Sequence, residues 1–442
     1  MEFKASKFNL LINYSLSDYL VFNTFTSSLI KIDKLFYQEI INSLSKKEFI
    51  SEHIDALEAL IKLGVLTDSS FSEKTEIRRR NIQWRHDSKM YSIAIIPNID
   101  CNFRCKYCFE DIQPRYMSEQ VQENIEHYLN KRIENNNIDS LGISWYGGEP
   151  LLSKDIILRL SRTFKKISKY RAFLYTNGFD FDDEFIYQLS PIGITLVHIT
   201  IDGTKGVHDS YRIHQDGINT FDRIAENIQK IIDYNNDRIS INIRSNLDNQ
   251  NKANYPDLIQ FFSEKIHSNK ISFQVHRIQN VTTGIGINYC DEMREDDFNN
   301  FYEVVMKGLI SNNYRKPQDF LPRRLDCHHC YVGMDNGFAI NYDGIVYKCF
   351  ADVNPSNNPI GVLNDHGEID FNSIEDLRWK DYDCLKNENC SKCILLPVCM
   401  GGCTRQRLGL ADNLPMKCDQ KKAISSVKRV IKSVYELSRE NQ

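Results

Sequence analysis

No apolar run in the chain approaches the roughly 20 residues needed to span a bilayer, and no long apolar core or small-residue cleavage site follows the opening "MEFKASKFNL". These absences argue against a membrane or exported protein, so a cytoplasmic location is expected. Excess charge of either sign is also missing. The 55 basic and 59 acidic residues leave a formal net charge of -4, which offers no general attraction to nucleic acid or to an anionic membrane. No internal repeat or low-complexity tract stands out, which sets repeat architectures aside.

Cysteine is absent from the first 100 of the 442 residues, yet 13 follow. Three fall within eight positions, at Cys101, Cys105 and Cys108, nine crowd between 327 and 418, and Cys290 stands apart. Disulfides are disfavoured in a reducing cytosol, so metal or redox chemistry is the leading explanation. A C-x3-C-x2-C loop can wrap a compact soft-metal centre, whereas zinc sites more often use CxxC pairs and close their shell with four ligands. A 4Fe-4S cluster on three thiolates keeps one iron open for a substrate. Taken alone, the triad also suits a zinc knuckle completed by a distant histidine.

A chain of this length exceeds what one core usually organises, so two or three domains are expected. Residues 8–33 read as two or three short strands, and helical spacing follows in "LFYQEIINSL" and "EHIDALEALIKLG". Together they suggest a small α+β module over 1–75, with the polar stretch 76–89 as a linker. Between 90 and 320, strand and helix alternate. The strands are "YSIAIIP", "LGISWYG", "RAFLYTNG", "ITLVHITIDG", "ISINIRSN" and "ISFQVHRI", with helices near 118–132, 154–166, 182–190, 220–234 and 255–266. Six such steps predict an α/β fold, a parallel sheet with right-handed crossovers curled into a partial (β/α)6 barrel. The site should lie at the C-terminal strand ends. "YGGEP", "TNG", "TIDG" and the pair Arg244 and Asn246 all fall there. Residues 321–420 form a cysteine-rich region with short strands, and 421–442 a terminal helix.

The cysteine loop after the first strand, together with "GGEP" after the second, resembles the radical S-adenosylmethionine (SAM) enzymes. That resemblance implies a 4Fe-4S cluster on Cys101, Cys105 and Cys108, whose fourth iron chelates S-adenosyl-L-methionine. Gly147, Gly148, Glu149 and Pro150 would receive the methionyl ammonium, and Tyr107 would border the adenine. Thr200 would meet the ribose, Asn177 at the third strand end could help hold the ribose and carboxylate, and Arg244 could pair with a carboxylate. One electron delivered to the sulfonium would then yield a 5'-deoxyadenosyl radical that removes hydrogen from a substrate. No catalytic side chain of the protein is assigned, and "HDSYR", with His208 and Arg212, is read as structural.

The run Cys390, Cys393, Cys399 and Cys403, at C-x2-C-x5-C-x3-C, is followed by Cys418 and preceded by Cys330 and Cys349 in "CYVGMDNGFAINYDGIVYKC". This resembles the SPASM extension, which carries two auxiliary 4Fe-4S clusters and would bring the total to three. The resemblance implies that Cys330, Cys349 and Cys403 bind one, and that Cys390, Cys393, Cys399 and Cys418 bind the other. Cys327 is the candidate fourth ligand of the first, with His328, His329 or an open iron as alternatives. Cys384 and Cys290 match no motif and are read as buried small apolar residues.

SPASM enzymes most often modify peptides or proteins, and the N-terminal module resembles winged-helix modules that recognise leader peptides. It would bind an extended leader by strand addition, at an edge expected around 19–26. The expected activity is that of a radical SAM oxidoreductase that forges a thioether or carbon-carbon cross-link in a ribosomally made precursor peptide. An external electron donor such as flavodoxin or ferredoxin would serve it, with neither nucleic acid nor membrane as partner. The alternatives are an anaerobic sulfatase-maturating enzyme, forming formylglycine, and a non-catalytic iron-sulfur electron-transfer protein. Sulfatase maturases usually carry a basic aspartate directly after the cysteine of "DGxVYxC". Here Phe350 stands in that place and Asp352 lies two positions on.

Overall fold

The computed structural model describes the chain except residues 1–2, 47–53, 136, 236–237, 279–290, 326–329, 354–358, 411–417 and 441–442. Six parallel strands, Met90–Ile95, Ser140–Trp145, Lys169–Thr176, Ile194–Thr200, Ser240–Leu247 and Ile271–Arg277, stand side by side in chain order. Five helices, Glu119–Glu134, Lys154–Phe164, Asp183–Gln188, Phe221–Tyr234 and Tyr255–Lys265, lie one in each segment between consecutive strands. Ser118 and Asp182 cap the first and third of these, accepting hydrogen bonds from the backbone N–H of Val121 and Phe185.

Strand periodicity explains both faces of the sheet. Leu141, Ile143, Trp145, Leu174, Val197, Ile199, Ile241 and Ile243 sit at alternate positions and are fully buried in one core with Ile157, Leu160, Phe164, Ile224, Ile228, Leu258 and Phe262 of the helices. Each such side chain contributes roughly 1.5–3 kcal/mol of transfer free energy. The intervening positions face the concave side, where polar and aromatic residues collect.

The sheet continues past the expected boundary at 320. Gly337–Ile340 adds as a seventh parallel strand beside Met90–Ile95, and Ile345–Tyr347, Gly361–Leu363 and Ile369–Phe371 extend it antiparallel to ten strands. The cysteine-rich region is therefore bonded directly to the first barrel strand.

Two expectations are corrected. The stretch read as a linker is largely helix Glu73–Arg85, N-capped by Ser72, with Ile77 and Asn81 buried. Arg85 donates to the carbonyls of Tyr382, at 2.8 Å, and Lys380. Its few apolar positions hide the helical period, because ion pairs from Glu76 to Arg79 and Arg80 and long-range polar contacts hold it instead. The strand expected as a free edge, Asp18–Asn23, is the middle strand of a three-stranded antiparallel sheet. Its neighbours Asn9–Asn13 and Ser28–Asp33 are the edges. Short alternating runs do not reveal strand order, which hairpin closure on both sides decided here.

This small sheet is seated on the C-terminal region. Leu10, Ile12, Leu20 and Phe22 pack with Leu395 and Ile431, the latter in the terminal helix Gln420–Glu440. Thr24 Oγ1 donates to the Ile394 carbonyl at 2.6 Å. No described helix is long and apolar enough to cross a membrane.

Candidate active site

The loop bearing Cys101, Cys105 and Cys108 is held from two sides. Phe103–Cys105 forms a short antiparallel ladder with Arg212–His214, in which Arg212 faces Cys105. On the other side it abuts "GGEP". A Cβ added to Gly147 would lie 2.3 Å from the Asn98 carbonyl oxygen, and one on Gly148 would lie 2.2 Å from that of Asp100. Gly147 also has φ of +141°. Only glycine permits this approach of two backbones, and the Glu149 N–H donates to the Asp100 carbonyl at 2.7 Å. The glycine pair thus seats the cysteine loop on the end of the second strand.

Several residues expected at a ligand are engaged within the protein. Buried Glu149 accepts through Oε1 from Thr176 Oγ1 at 2.6 Å and the Leu151 N–H at 2.9 Å, and through Oε2 from the Asn177 N–H at 2.7 Å. Burial raises its carboxyl to about 7, against the pull of those donors. Asn177 Nδ2 donates to Asn102 Oδ1 at 2.7 Å, and its Oδ1 accepts from the Phe179 N–H at 2.9 Å. Glu149 and Asn177 therefore tie the cysteine loop to the second and third strand ends, while Pro150 opens the turn Pro150–Ser153. The Tyr107 hydroxyl donates to the buried Asp202 carboxylate and accepts from Arg212 Nη1 at 2.8 Å and Asn246 Nδ2 at 3.1 Å. Thr200 and Arg244 are register partners on the fourth and fifth strands, both partly buried.

The concave face carries residues that motif spacing did not point to. The Tyr146 ring stands edge-on to Tyr175, which stacks on His198 at 4.3 Å. His198 Nδ1 meets Asn242 Oδ1 at 3.2 Å, and Asn242 Nδ2 donates to Ser272 Oγ at 2.9 Å. This chain of contacts crosses from the second strand to the sixth, so one surface lines the lumen. Burial lowers His198 and His276 to about 4, with Arg244 adding to both and the Asn242 contact opposing it at His198, which keeps both imidazoles neutral at pH 7. Among the described residues, His276 Nε2 is buried with no hydrogen-bond partner. Tyr146 also donates to Glu110 at 3.3 Å, a carboxyl that burial raises to about 8. Phe350 closes the row, its ring 4.6 Å from that of Tyr146. The available signal was alternation along each strand, which puts 144 and 146, 173 and 175, 198 and 200, 242 and 244, and 274 and 276 on this face.

Among the described residues, no three cysteine, histidine or carboxylate side chains close around a single metal ion. The thiols are grouped more widely. Burial raises Cys101 and pushes Cys108 up to about 12, and Cys105 adds to both effects. Burial also raises Cys330 and Cys349, with Cys403 adding to the first and Cys330 to the second. In the third group burial raises Cys390, Cys393 and Cys399, and Cys418 adds to all three. Cys327, with His328, His329 and Cys290, lies outside the described residues. Crowded buried thiols hold their protons until a soft cation replaces them, so the all-sulfur donor sets fit iron-sulfur centres. Cys384 is buried among Phe8, Ile77, Leu396 and Met400 with Cys390 beside that cluster, and burial raises its thiol, with Cys390 and Cys399 adding to the effect.

The radical SAM superfamily model matches residues 95–262, from the end of the first strand into the last of the five helices. This stretch of the barrel is similar to a radical SAM domain. Such a domain implies a 4Fe-4S cluster and SAM, and the cysteine triad beside "GGEP" fits both. Among curated relatives, the cysteine-type anaerobic sulfatase-maturating enzyme of Clostridium novyi (strain NT) is 25% identical over 345 residues, covering 72% of this chain and 89% of its own length. The radical SAM cyclopropyl synthase TigE of Paramaledivibacter caminithermalis is 22% identical over 398 residues, covering 84% of this chain and 77% of its own. Among solved structures, native anSMEcpe with bound AdoMet superposes with a TM-score of 0.58 at 20% identity, over 79% of this chain and 98% of that one. Streptococcus suis SuiB bound to precursor peptide SuiA gives 0.51 at 17% identity, over 93% and 96%. These superpositions show a shared fold.

Proposed function

We propose that the chain is a radical SAM peptide maturase that oxidatively cross-links a ribosomally made precursor peptide through a thioether or carbon-carbon bond. The observation that carries this reading is a single lumen bordered by two cysteine groups. Tyr146 donates to Glu110, two residues beyond Cys108, at 3.3 Å, and its ring lies 4.6 Å from that of Phe350, the residue after Cys349. Hydrogen removal at one end and electron exit at the other would make the reaction a net oxidation.

In this reading Cys101, Cys105 and Cys108 hold the SAM-binding cluster. Residues 147–150, Tyr107, Asn177, Thr200 and Arg244 border the cofactor. Cys330, Cys349 and Cys403, with Cys327, hold one auxiliary cluster, and Cys390, Cys393, Cys399 and Cys418 the other. When bound, SAM and its cluster supply a 5'-deoxyadenosyl radical that takes a hydrogen atom from the substrate. Around that chemistry, Tyr146, Tyr175 and Phe350 exclude water from the lumen, and the neutral imidazoles of His198 and His276 offer hydrogen bonds without adding charge. Ser28–Asp33, an edge strand among the described residues, would take an extended leader by strand addition. A low-potential external donor such as flavodoxin or ferredoxin supplies electrons.

The clostridial relatives favour formylglycine formation as a second reading. Against it, the position after Cys349 presents the Phe350 ring to Tyr146 and offers no carboxylate. The test is anaerobic reconstitution with reductant and SAM, then co-expression with a small peptide encoded beside the gene. About twelve irons per chain, 5'-deoxyadenosine release and a peptide lighter by two hydrogens support the maturase. A sulfatase-derived peptide converted to formylglycine, with the neighbouring peptide untouched, overturns it, and iron without SAM cleavage points to an electron carrier.

A further inference from the structure

We propose that Arg212 is a fixed positive charge that sets the electron affinity of the cluster held by Cys101, Cys105 and Cys108. This rests on the radical SAM reading of the triad and is independent of the peptide substrate.

The geometry begins in the ladder between Phe103–Cys105 and Arg212–His214. Arg212 lies directly opposite Cys105, and directly opposed residues project their side chains from the same face, with Cβ atoms about 4.5–5.5 Å apart. The guanidinium is therefore delivered to the cysteine loop by the backbone itself. It is 8% exposed, lies over the Phe103 ring at 5.7 Å, and donates from Nη1 to Tyr107 at 2.8 Å. Among the described residues, its Nε is buried without a hydrogen-bond partner. An arginine cannot shed its proton to relieve such burial, so the charge is permanent.

Asp202 is the nearest counter-charge, with Oδ2 at 4.0 Å from Nη1. That carboxylate is fully buried and also accepts from the Tyr107 hydroxyl and from the Asn246 N–H at 2.7 Å. The pair is thus loose, bridged by Tyr107 and not closed directly, and the guanidinium retains a field that reaches its neighbours. Two buried carboxylates border the same loop, Asp202 through the Tyr107 hydroxyl and Glu149 through Asn177, which donates to Asn102. A cluster gains one negative charge on reduction, so a nearby cation favours the reduced state. Arg212 offsets the carboxylates around the loop and keeps the cluster reducible.

The test is a redox titration of the reconstituted full-length protein without peptide. It follows the electron paramagnetic resonance signal that changes when SAM is added, since that change marks the triad's cluster. Arg212→Gln is expected to lower the ratio of reduced to oxidised cluster about tenfold at a fixed potential, equivalent to about 59 mV for one electron. Arg212→Lys, which keeps the charge and loses the planar fork, is expected to stay within about threefold of wild type. Asp202→Asn removes the counter-charge and is expected to shift the ratio the opposite way. Equal shifts in the glutamine and lysine variants, or no shift in either, overturn the proposal. Should Arg212→Gln fail to load iron, Asp202→Asn decides alone, and an unchanged or lowered ratio overturns it. The expected shifts with an unaltered peptide would sink the maturase reading and leave this one standing.

Discussion

Arg405 donates its Nε to the carboxylate of Asp352, and both side chains are buried. The pair holds the turn after Cys349 against helix Thr404–Arg407, next to Cys403. Asp352 is thus engaged in a buried ion pair within the protein. Removing one partner of a buried pair leaves the other uncompensated, at a cost of about 3–5 kcal/mol. Asp352→Ala is expected to lose that much stability in denaturant unfolding, and Asp352→Ala with Arg405→Ala to recover part of it. The fraction that folds should still modify peptide.

Gly148→Ala places a methyl group against the Asp100 carbonyl, 2.2 Å away before relaxation. The cysteine loop must then lift from the second strand. We expect loss of about four irons per chain together with SAM cleavage, while signals from the C-terminal cysteine groups persist. Iron counting and 5'-deoxyadenosine assays check this. Retention of all iron with normal cleavage would show that the loop tolerates displacement.

Acid should destabilise the barrel through its lumen histidines. His198 and His276 titrate near 6.5 when unfolded and at about 4 when folded. The native state thus binds fewer protons between those values. The stability from keeping them neutral is complete above 6.5 and is lost as pH falls through 4. Melting temperatures measured at pH 7 and pH 5 should differ more for wild type than for His198→Gln with His276→Gln. A parallel pH response would contradict this account.

The N-terminal sheet rests on the second cysteine field through Leu395, Cys393, Ile394, Val398 and Cys399. Cys399→Ser, by weakening the auxiliary centre proposed there, should loosen that seat. Limited proteolysis within residues 3–33 is expected to accelerate about tenfold, equivalent to ~1.4 kcal/mol in local opening, whereas cleavage within the barrel should be unchanged. Equal acceleration everywhere would indicate global destabilisation instead.

The six barrel strands were legible because each carries its apolar residues at alternate positions between turn signals, and the crossover helices because theirs recur at helical spacing. Helix Glu73–Arg85 was not, since it buries only Glu73, Ile77 and Asn81 and takes its stability from charge pairs and from carbonyls some 300 residues away. The middle position of Asp18–Asn23 was equally hidden, because pairing partners are chosen after hairpins close. Motif spacing led to Glu149 and Asn177 as ligand contacts; the fold gives both a framework role as well.

Local spacing by itself determined the inventory: three thiols on a loop after one strand, glycines after the next, and a second cysteine field downstream. Tertiary structure alone decided the company those groups keep. Gly148 meets Asp100, Arg212 faces Cys105, and Phe350 covers Tyr146 because helices packed on one face of a parallel sheet bring its strand ends together. Such contacts join residues tens to hundreds of positions apart, and no local period encodes them.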